Sequence, residues 1–373
     1  MNQLKLSVES LFDGKSFLSN QTITIQDGVI VAIEDNHNLG SDVLSGSLIP
    51  GFIDIQVNGG GGKLFNQSPD LETLTIIARA HQKFGTTGWL PTLVTDSFSI
   101  MKSAAEAVVL ARQDKSLGVL GIHFEGPYLS KEKKGIHSAK FIRKISDEEK
   151  DLFSRKDLGQ VVVTLAPEIV SLDDIRELVN MGVIVCLGHS NATFERANEA
   201  LRAGATGFTH LFNAMSQFTS REPGLVGAAL LDENSYAGII LDGQHVHNES
   251  AKLAINSKSN IILVTDAMPL VGSDSYHFDF FGERINRTGN QLTNHNGQLA
   301  GSVLNMNRAV NNAIDCLGVS VSKAINLATI NPASFLKLDS LYGRLAIGAK
   351  ANMILLDGDR QTLSSWIDGK RLF

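Results

Sequence analysis

The sequence predicts an α/β protein: a (β/α)8 TIM-type barrel with a small β-sandwich domain formed by its N- and C-terminal segments. Three observations predict it. Eight short, continuously apolar runs lie along the middle of the chain, segments of helical period separate them, and both ends show alternating, turn-punctuated strand patterns. Continuous apolarity marks strands buried on both faces, as in a parallel sheet covered by helices, and eight strand-helix repeats are the count of that barrel.

The first fifty residues alternate apolar with polar side chains, as in Leu4-Lys5-Leu6-Ser7-Val8 and Thr22-Ile23-Thr24-Ile25, and carry the turn dipeptides Asp13-Gly14 and Asp27-Gly28. These are hairpin signals. The last thirty read the same way, with Ala351 to Leu356 strand-like and turns at Asp357-Gly358 and Asp368-Gly369. Neither end is long enough to bury a two-faced sheet alone, so residues 1–50 and 342–373 are expected to pool into one small β-domain.

Residues 51–341 are then the barrel. Its strand runs are Gly51 to Val57, Gly88 to Val94, Val119 to Phe124, Val161 to Leu165, Val183 to Leu187, Thr206 to Thr209, Ala237 to Leu241 and Ile261 to Val264. Ser68-Pro69 opens a helical run that stops at Gly85, Ser171 precedes one ending at Gly182, and Thr193 precedes one ending at Gly204. The rival architecture, an open doubly wound sheet, wants a G-x-G-x-x-G after the first strand. The Gly59 to Gly62 run is only a flexible-loop signal.

Composition narrows the function classes. The 373 residues are 43% apolar and 19% charged, with 33 basic against 39 acidic side chains and a formal net charge of -6. That apolar fraction excludes disorder, and no run approaches the ~18 apolar residues of a membrane span. Without a lysine or arginine tract there is no footprint for nucleic acid or an anionic membrane, which leaves small-molecule chemistry. Cys186 and Cys316 are too few for a disulfide framework and form no C-x-x-C pair, so both are expected as buried free thiols. The first twenty residues lack the pattern of a signal peptide, and a cytoplasmic location is expected.

Barrel enzymes build their sites just past the C-terminal ends of their strands. There the sequence offers Asp54, Gln56 and Asn58 after strand one, Thr92 and Thr95 after two, His123 and Glu125 after three, and Glu168 after four. His189 follows strand five, His210 and Asn213 six, Asp242 and His245 seven, and Asp266 eight. Each has a plain reading as well: a lone strand-end histidine commonly serves as a structural hydrogen-bonding group, and Asp266 suits an N-cap or a loop salt bridge. Convergence points further. Glu125, His189 and His210 come from three strands but meet at one mouth, giving two imidazole nitrogens and one carboxylate oxygen, the protein ligands of a catalytic zinc with one position open. Asp266 stands opposite as a general base.

Six runs carry a resemblance at this point. Pro50-Gly51-Phe52-Ile53-Asp54, His123-Phe124-Glu125-Gly126-Pro127, Gly188-His189-Ser190-Asn191-Ala192-Thr193, Thr209-His210-Leu211-Phe212-Asn213-Ala214-Met215, Asp242-Gly243-Gln244-His245-Val246 and Val264-Thr265-Asp266-Ala267 resemble, in the same order, the N-acetylglucosamine-6-phosphate deacetylases of the amidohydrolase superfamily. The similarity extends over nearly the whole chain, including the split β-domain. It implies that Glu125, His189 and His210 hold the metal, and that Asp266 is the acid/base. It further implies that His137, next to Ile136, reaches the substrate amide, that Arg221 and His245 take the phosphate with help from Asn213 and Ala214, and that Leu299, Ala300 and Gly301 line the acetyl side. Asp242 is expected with the substrate-binding group, and the resemblance also implies a homodimer. Read from the residues alone, Arg221 on its polar loop is an ordinary surface charge, although a guanidinium fork suits a phosphate.

One departure from the wider superfamily shapes the metal expectation. Where many members carry His-x-His after strand one, this chain has Gln56-Val57-Asn58, and strand four ends without a lysine to carbamylate. Neutral amides are poor zinc ligands beside imidazole, so one divalent ion is expected, zinc first, with iron or cobalt accepted by the same set. Gln56 and Asn58 are candidates for supporting the ligands from behind. The expected reaction is deacetylation of N-acetyl-D-glucosamine 6-phosphate. Its rivals are the N-acetylgalactosamine 6-phosphate epimer, a dihydropyrimidinase-like hydrolase, which wants the missing His-x-His and lysine, and an inactive sugar-phosphate-binding barrel, which predicts loss of ligands that are all present.

Overall fold

The structure, a computed structural model, describes residues 3–36 and 43–373; residues 1, 2 and 37–42 of the expected terminal domain lie outside the described residues. The chain opens with four strands, β1 (Gln3–Phe12), β2 (Phe17–Gln26), β3 (Val29–Asp35) and β4 (Val43–Pro50). The β1-β2 and β2-β3 pairs are antiparallel hairpins that turn at Asp13-Gly14 and Asp27-Gly28 as the dipeptides predict. Gly28 sits at φ +82° with Asp368 packed against it, so this turn has room for glycine only.

Gly51 separates β4 from β5 (Phe52–Val57), the first barrel strand, which runs into a short hairpin of β6 (Gly59–Gly60) and β7 (Lys63–Leu64). Strands and helices then alternate: α1 (Leu71–Gln82), β8 (Thr86–Val94), α2 (Phe98–Gln113), β9 (Gly121–Glu125), α3 (Asp147–Phe153), β10 (Gln160–Leu165) and α4 (Leu172–Asn180). The series continues through β11 (Ile184–Leu187), α5 (Phe194–Arg202), β12 (Gly207–Phe208), α6 (Gly224–Leu231), β13 (Tyr236–Ile239), α7 (Asn248–Ser257) and β14 (Ile261–Leu263). All eight predicted runs are strands.

Neighbours β5-β8-β9-β10-β11-β12-β13-β14 pair in parallel to form one eight-stranded sheet. The end of β5 meets the segment after β14 through a Val57–Ala267 bridge and a 3.0 Å bond from Asp266 N to Gln56 O, which brings the first and last strands together. β5, β8 and β9 are buried at every residue. This is why they read as unbroken apolar runs rather than as alternation. The helices start on caps: Asp70, Ser97, Ser171 and Thr193 each accept a backbone N–H from the residue three positions on. Each such cap contributes about 1 kcal/mol.

A three-stranded antiparallel sheet that the sequence reading did not anticipate follows β14: β15 (His277–Phe280), β16 (Glu283–Thr288) and β17 (Gln291–Thr293). Phe280, Ile285, Leu292 and Ala300 join Met268 and Leu270 in a small apolar cluster of their own. Three helices, α8 (Met306–Asp315), α9 (Val321–Ala328) and α10 (Ile330–Phe335), lead to β18 (Met353–Leu356), β19 (Thr362–Ile367) and β20 (Lys370–Arg371). These last strands join β1–β4 in one seven-stranded sheet, ordered β20-β19-β18-β4-β1-β2-β3. The sheet folds back on itself, since the β3 edge bonds the run before β18 through Ile30 N to Ala349 O at 2.9 Å and Ala351 N to Gly28 O at 2.9 Å. Val8, Ile23, Leu48, Met353 and Trp366 fill the space inside. The two ends thus share one small β layer, as their patterns predict. Cys186 is buried, but Cys316, the C-cap of α8, is exposed, which corrects the expectation of two buried thiols.

Candidate active site

The strand ends collect Glu125, His189 and His210 at the C-terminal mouth of the barrel. Glu125 is the last residue of β9, His189 lies two residues past β11, and His210 two past β12. Glu125 Oε1 is 3.1 Å from His189 Nε2 and 2.9 Å from His210 Nε2, and the two histidine nitrogens are 3.0 Å apart. All three side chains are buried. His189 Nδ1 lies 2.8 Å from the Lys133 carbonyl oxygen, which can only accept, so Nδ1 carries a hydrogen and Nε2 is the atom turned to the cluster. A buried carboxylate oxygen and two imidazole nitrogens aimed at one point form a donor set that fits a divalent cation. Among the described residues, this is the one group of three or more ionisable side chains that can hold a metal.

The backbone is strained where it presents these groups. His189, His210 and Asp266 have φ of +47°, +34° and +49°, and Ala214 has φ of +50°. Left-handed conformations cost non-glycine residues about 1–3 kcal/mol each and gather at functional sites. Here they mark three of the four proposed chemical groups.

Asp266 is held from two sides. Asn58 Nδ2 donates to its Oδ1 at 2.7 Å, and Gln56 Nε2 donates both to that oxygen at 3.3 Å and to Glu125 Oε1 at 3.2 Å. One amide thereby bridges the two carboxylates. Burial, then the nearby Glu125 charge, pushes the Asp266 carboxyl up to about 6. Burial also acts to raise Glu125, but the hydrogen bonds from His189 and His210 outweigh it and hold that carboxyl well below its ordinary value. Two carboxylates in one site are thus driven in opposite directions, the pattern expected of separate acid/base and ligand roles.

Seven predicted binding residues line one cavity of about 370 Å³ with these groups: Ile136, His137, Asn213, Ala214, His245, Leu299 and Gly301. His137 Nδ1 is 2.8 Å from Thr95 Oγ1, which also lies 3.1 Å from the Glu125 carbonyl oxygen. Burial, then the His189 charge, holds the His137 ring well below its ordinary value, so it is neutral at pH 7. Gly126, at φ +84°, leaves room for that threonine, because a Cβ there would sit 2.2 Å from Thr95 Oγ1. His245 reaches the cavity with its Nδ1 2.7 Å from Asp242 Oδ2.

Several predicted positions fall elsewhere. Asp242 is not on the cavity wall: its oxygens accept from Gln244 N and His245 N and pair with the His245 ring, which fixes that ring's direction. Leu299 and Gly301 line the cavity, but Ala300 between them is fully buried in the apolar cluster. Arg221 is exposed and absent from the wall. His123 points into the barrel interior, with Nε2 2.7 Å from Thr164 Oγ1, and Glu168 accepts from Ser190 Oγ and Asn191 N. Glu132, Lys133, Met268 and Gln298 line the cavity without having been singled out. Met268, directly after Ala267, and Gln298, directly before Leu299, adjoin positions named from the sequence.

Residues 47–372 match the amidohydrolase family. The chain belongs to that family. Within it, the sequence is 49% identical over 331 residues to the N-acetylgalactosamine-6-phosphate deacetylase of Shewanella sp. (strain ANA-3), covering 88% of this chain and 84% of the relative. It is 35% identical over 335 residues to the N-acetylglucosamine-6-phosphate deacetylase of Haemophilus influenzae, covering 88% and 87%. The amidohydrolase fold superposes on the crystal structure of N-acetylglucosamine-6-phosphate deacetylase from Pasteurella multocida with a TM-score of 0.94 at 33% identity, covering 99% of each chain. As an amidohydrolase the protein is a hydrolase, and no helix among the described residues is long and apolar enough to cross a membrane.

Proposed function

We propose that the protein deacetylates N-acetyl-D-glucosamine 6-phosphate to D-glucosamine 6-phosphate and acetate, in amino-sugar breakdown. The observation that carries this reading is the convergence of Glu125, His189, His210 and Asp266 in one cavity whose further wall holds His245 and Asn213. The barrel, residues 51–341, carries the chemistry, and the pooled ends form the separate β-domain. Glu125, His189 and His210 would hold a single divalent ion, zinc first and iron or cobalt by the same donors. When bound, that ion supplies a lowered water pKa and a polarised acetyl carbonyl. Asp266 takes a proton from the attacking water and returns it to the departing nitrogen. His137, held in place by Thr95 through its Nδ1, reaches the substrate amide. His245, fixed by Asp242, and Asn213 receive the distal phosphate, whose binding positions the acetamide.

A second reading differs by one hydroxyl. The Shewanella relative, at 49% identity, is named for N-acetylgalactosamine 6-phosphate, so the C4 epimer is the competing substrate. Acetate release from the two 6-phosphates, with and without a chelator, decides between them. A higher kcat/KM for the gluco compound supports the first reading and a higher value for the galacto compound supports the second. Release that a chelator leaves untouched would remove the metal from both.

Arg221 does not reach the cavity within one chain, so its part in phosphate binding belongs to an assembly of two copies, in line with the homodimer the resemblance implies. A cytoplasmic location accompanies this reading. Arg221→Ala is expected to lower kcat/KM for the 6-phosphate by about 10- to 100-fold and to leave unphosphorylated N-acetylglucosamine unaffected, the range of a charge-assisted hydrogen bond. Equal losses on both sugars would take Arg221 out of phosphate recognition.

A further inference from the structure

Asn58 lines the cavity beside Asp266 and is 1% exposed, yet its Oδ1 has no hydrogen-bond partner. The orientation of the amide is fixed by chemistry. An ionised carboxylate only accepts, so the group 2.7 Å from Asp266 Oδ1 must be the NH2, which turns the carbonyl oxygen away from Asp266. The backbone beneath it is fixed as well: Asn58 N donates to Ala267 O at 2.9 Å, and Asn58 O accepts from Phe65 N at 2.9 Å. Buried acceptors in folded proteins are nearly always paired, and an orphan on a residue of a cavity wall is a place for a donor on the ligand to complete.

We propose that Asn58 Oδ1 accepts the acetamido N–H of the substrate, so that one side chain holds both the general base and the nitrogen that will leave. The inference rests on the deacetylase reading and assigns Asn58 direct contact with the substrate. As water adds, a C–O bond forms and one water proton passes to Asp266. As the C–N bond breaks, its electron pair goes to nitrogen and the proton on Asp266 follows it. The hydrogen that Asn58 holds stays on nitrogen throughout, and the bond keeps that nitrogen near the acid that protonates it.

The test compares N-acetylglucosamine 6-phosphate with the 2-O-acetyl ester of glucose 6-phosphate, which keeps the phosphate and acetyl group but has no N–H. Asn58→Ala is expected to reduce kcat/KM for the amide about tenfold more than for the ester, one hydrogen bond's worth. Equal losses would overturn the proposal, since Asn58 would then act only through Asp266. If the variant turns over neither compound, calorimetric binding of glucosamine 6-phosphate against glucose 6-phosphate reads the same contact. The parent's preference for the amine should fall about tenfold, and an unchanged preference overturns the proposal. A parent enzyme that releases no acetate from either acetylated compound would instead remove the deacetylase reading, and this inference with it.

Discussion

Asp266→Asn is expected to lower kcat by about 10²- to 10⁴-fold, the contribution of one well-placed acid/base, while metal content and KM stay close to the parent's. The substitution is nearly isosteric, and Asn58 and Gln56 can still find an oxygen on the new amide. What is lost is the capacity to take a proton. The carboxyl of Asp266 is pushed up to about 6, so its basic form predominates above that pH and is lost as the pH falls. In the parent, kcat/KM should therefore decline on the acid side with a limb no higher than about pH 6, and a cation held by the ligands would draw the limb lower. The variant should lack that limb. Near-parental turnover by Asp266→Asn, or a parent limb centred above pH 7, would assign proton transfer to another group.

His189→Ala should lose bound metal, and activity with it. Its Nε2 is one of three donors, and its Nδ1 is tied to the Lys133 carbonyl oxygen at 2.8 Å, so the variant removes both a ligand and the contact that aims it. Changes to such outer contacts alone reduce metal affinity by about 10- to 100-fold, and loss of the donor itself should exceed that. Elemental analysis after dialysis is the measurement. A full metal complement in the variant would count against this ligand set, whatever the activity.

The barrel was legible because its chemistry is written twice, once in apolar runs that have no polar face to interrupt them and once in the polar residues that end those runs. Glu125, His189, His210 and Asp266 could be picked out because a strand end is a fixed place in this architecture. Loops offer no such fixed place. Asp242 and His245 are three residues apart, and spacing alone does not show that the carboxylate supports the ring from behind. Ala300 and Leu299 are adjacent, but one turns into the apolar cluster and the other into the cavity. The β15–β17 sheet escaped notice because its strands are short and mostly exposed: the alternation of His277-Phe278-Asp279-Phe280 lasts only four residues, and Ile285 is the sole buried residue of β16.

The seven-stranded sheet has a consequence for the order of events during synthesis. β18 pairs with β4 in antiparallel register, Met353 opposite Pro50, across some three hundred intervening residues. Until the ribosome has delivered that late segment, β4 presents an open, apolar edge, and the nascent chain must carry it through the time taken to make the whole barrel. Pairings so distant along the chain form slowly. The barrel is therefore free to mature first, and the terminal sheet closes last, as the step that commits the molecule to its finished form.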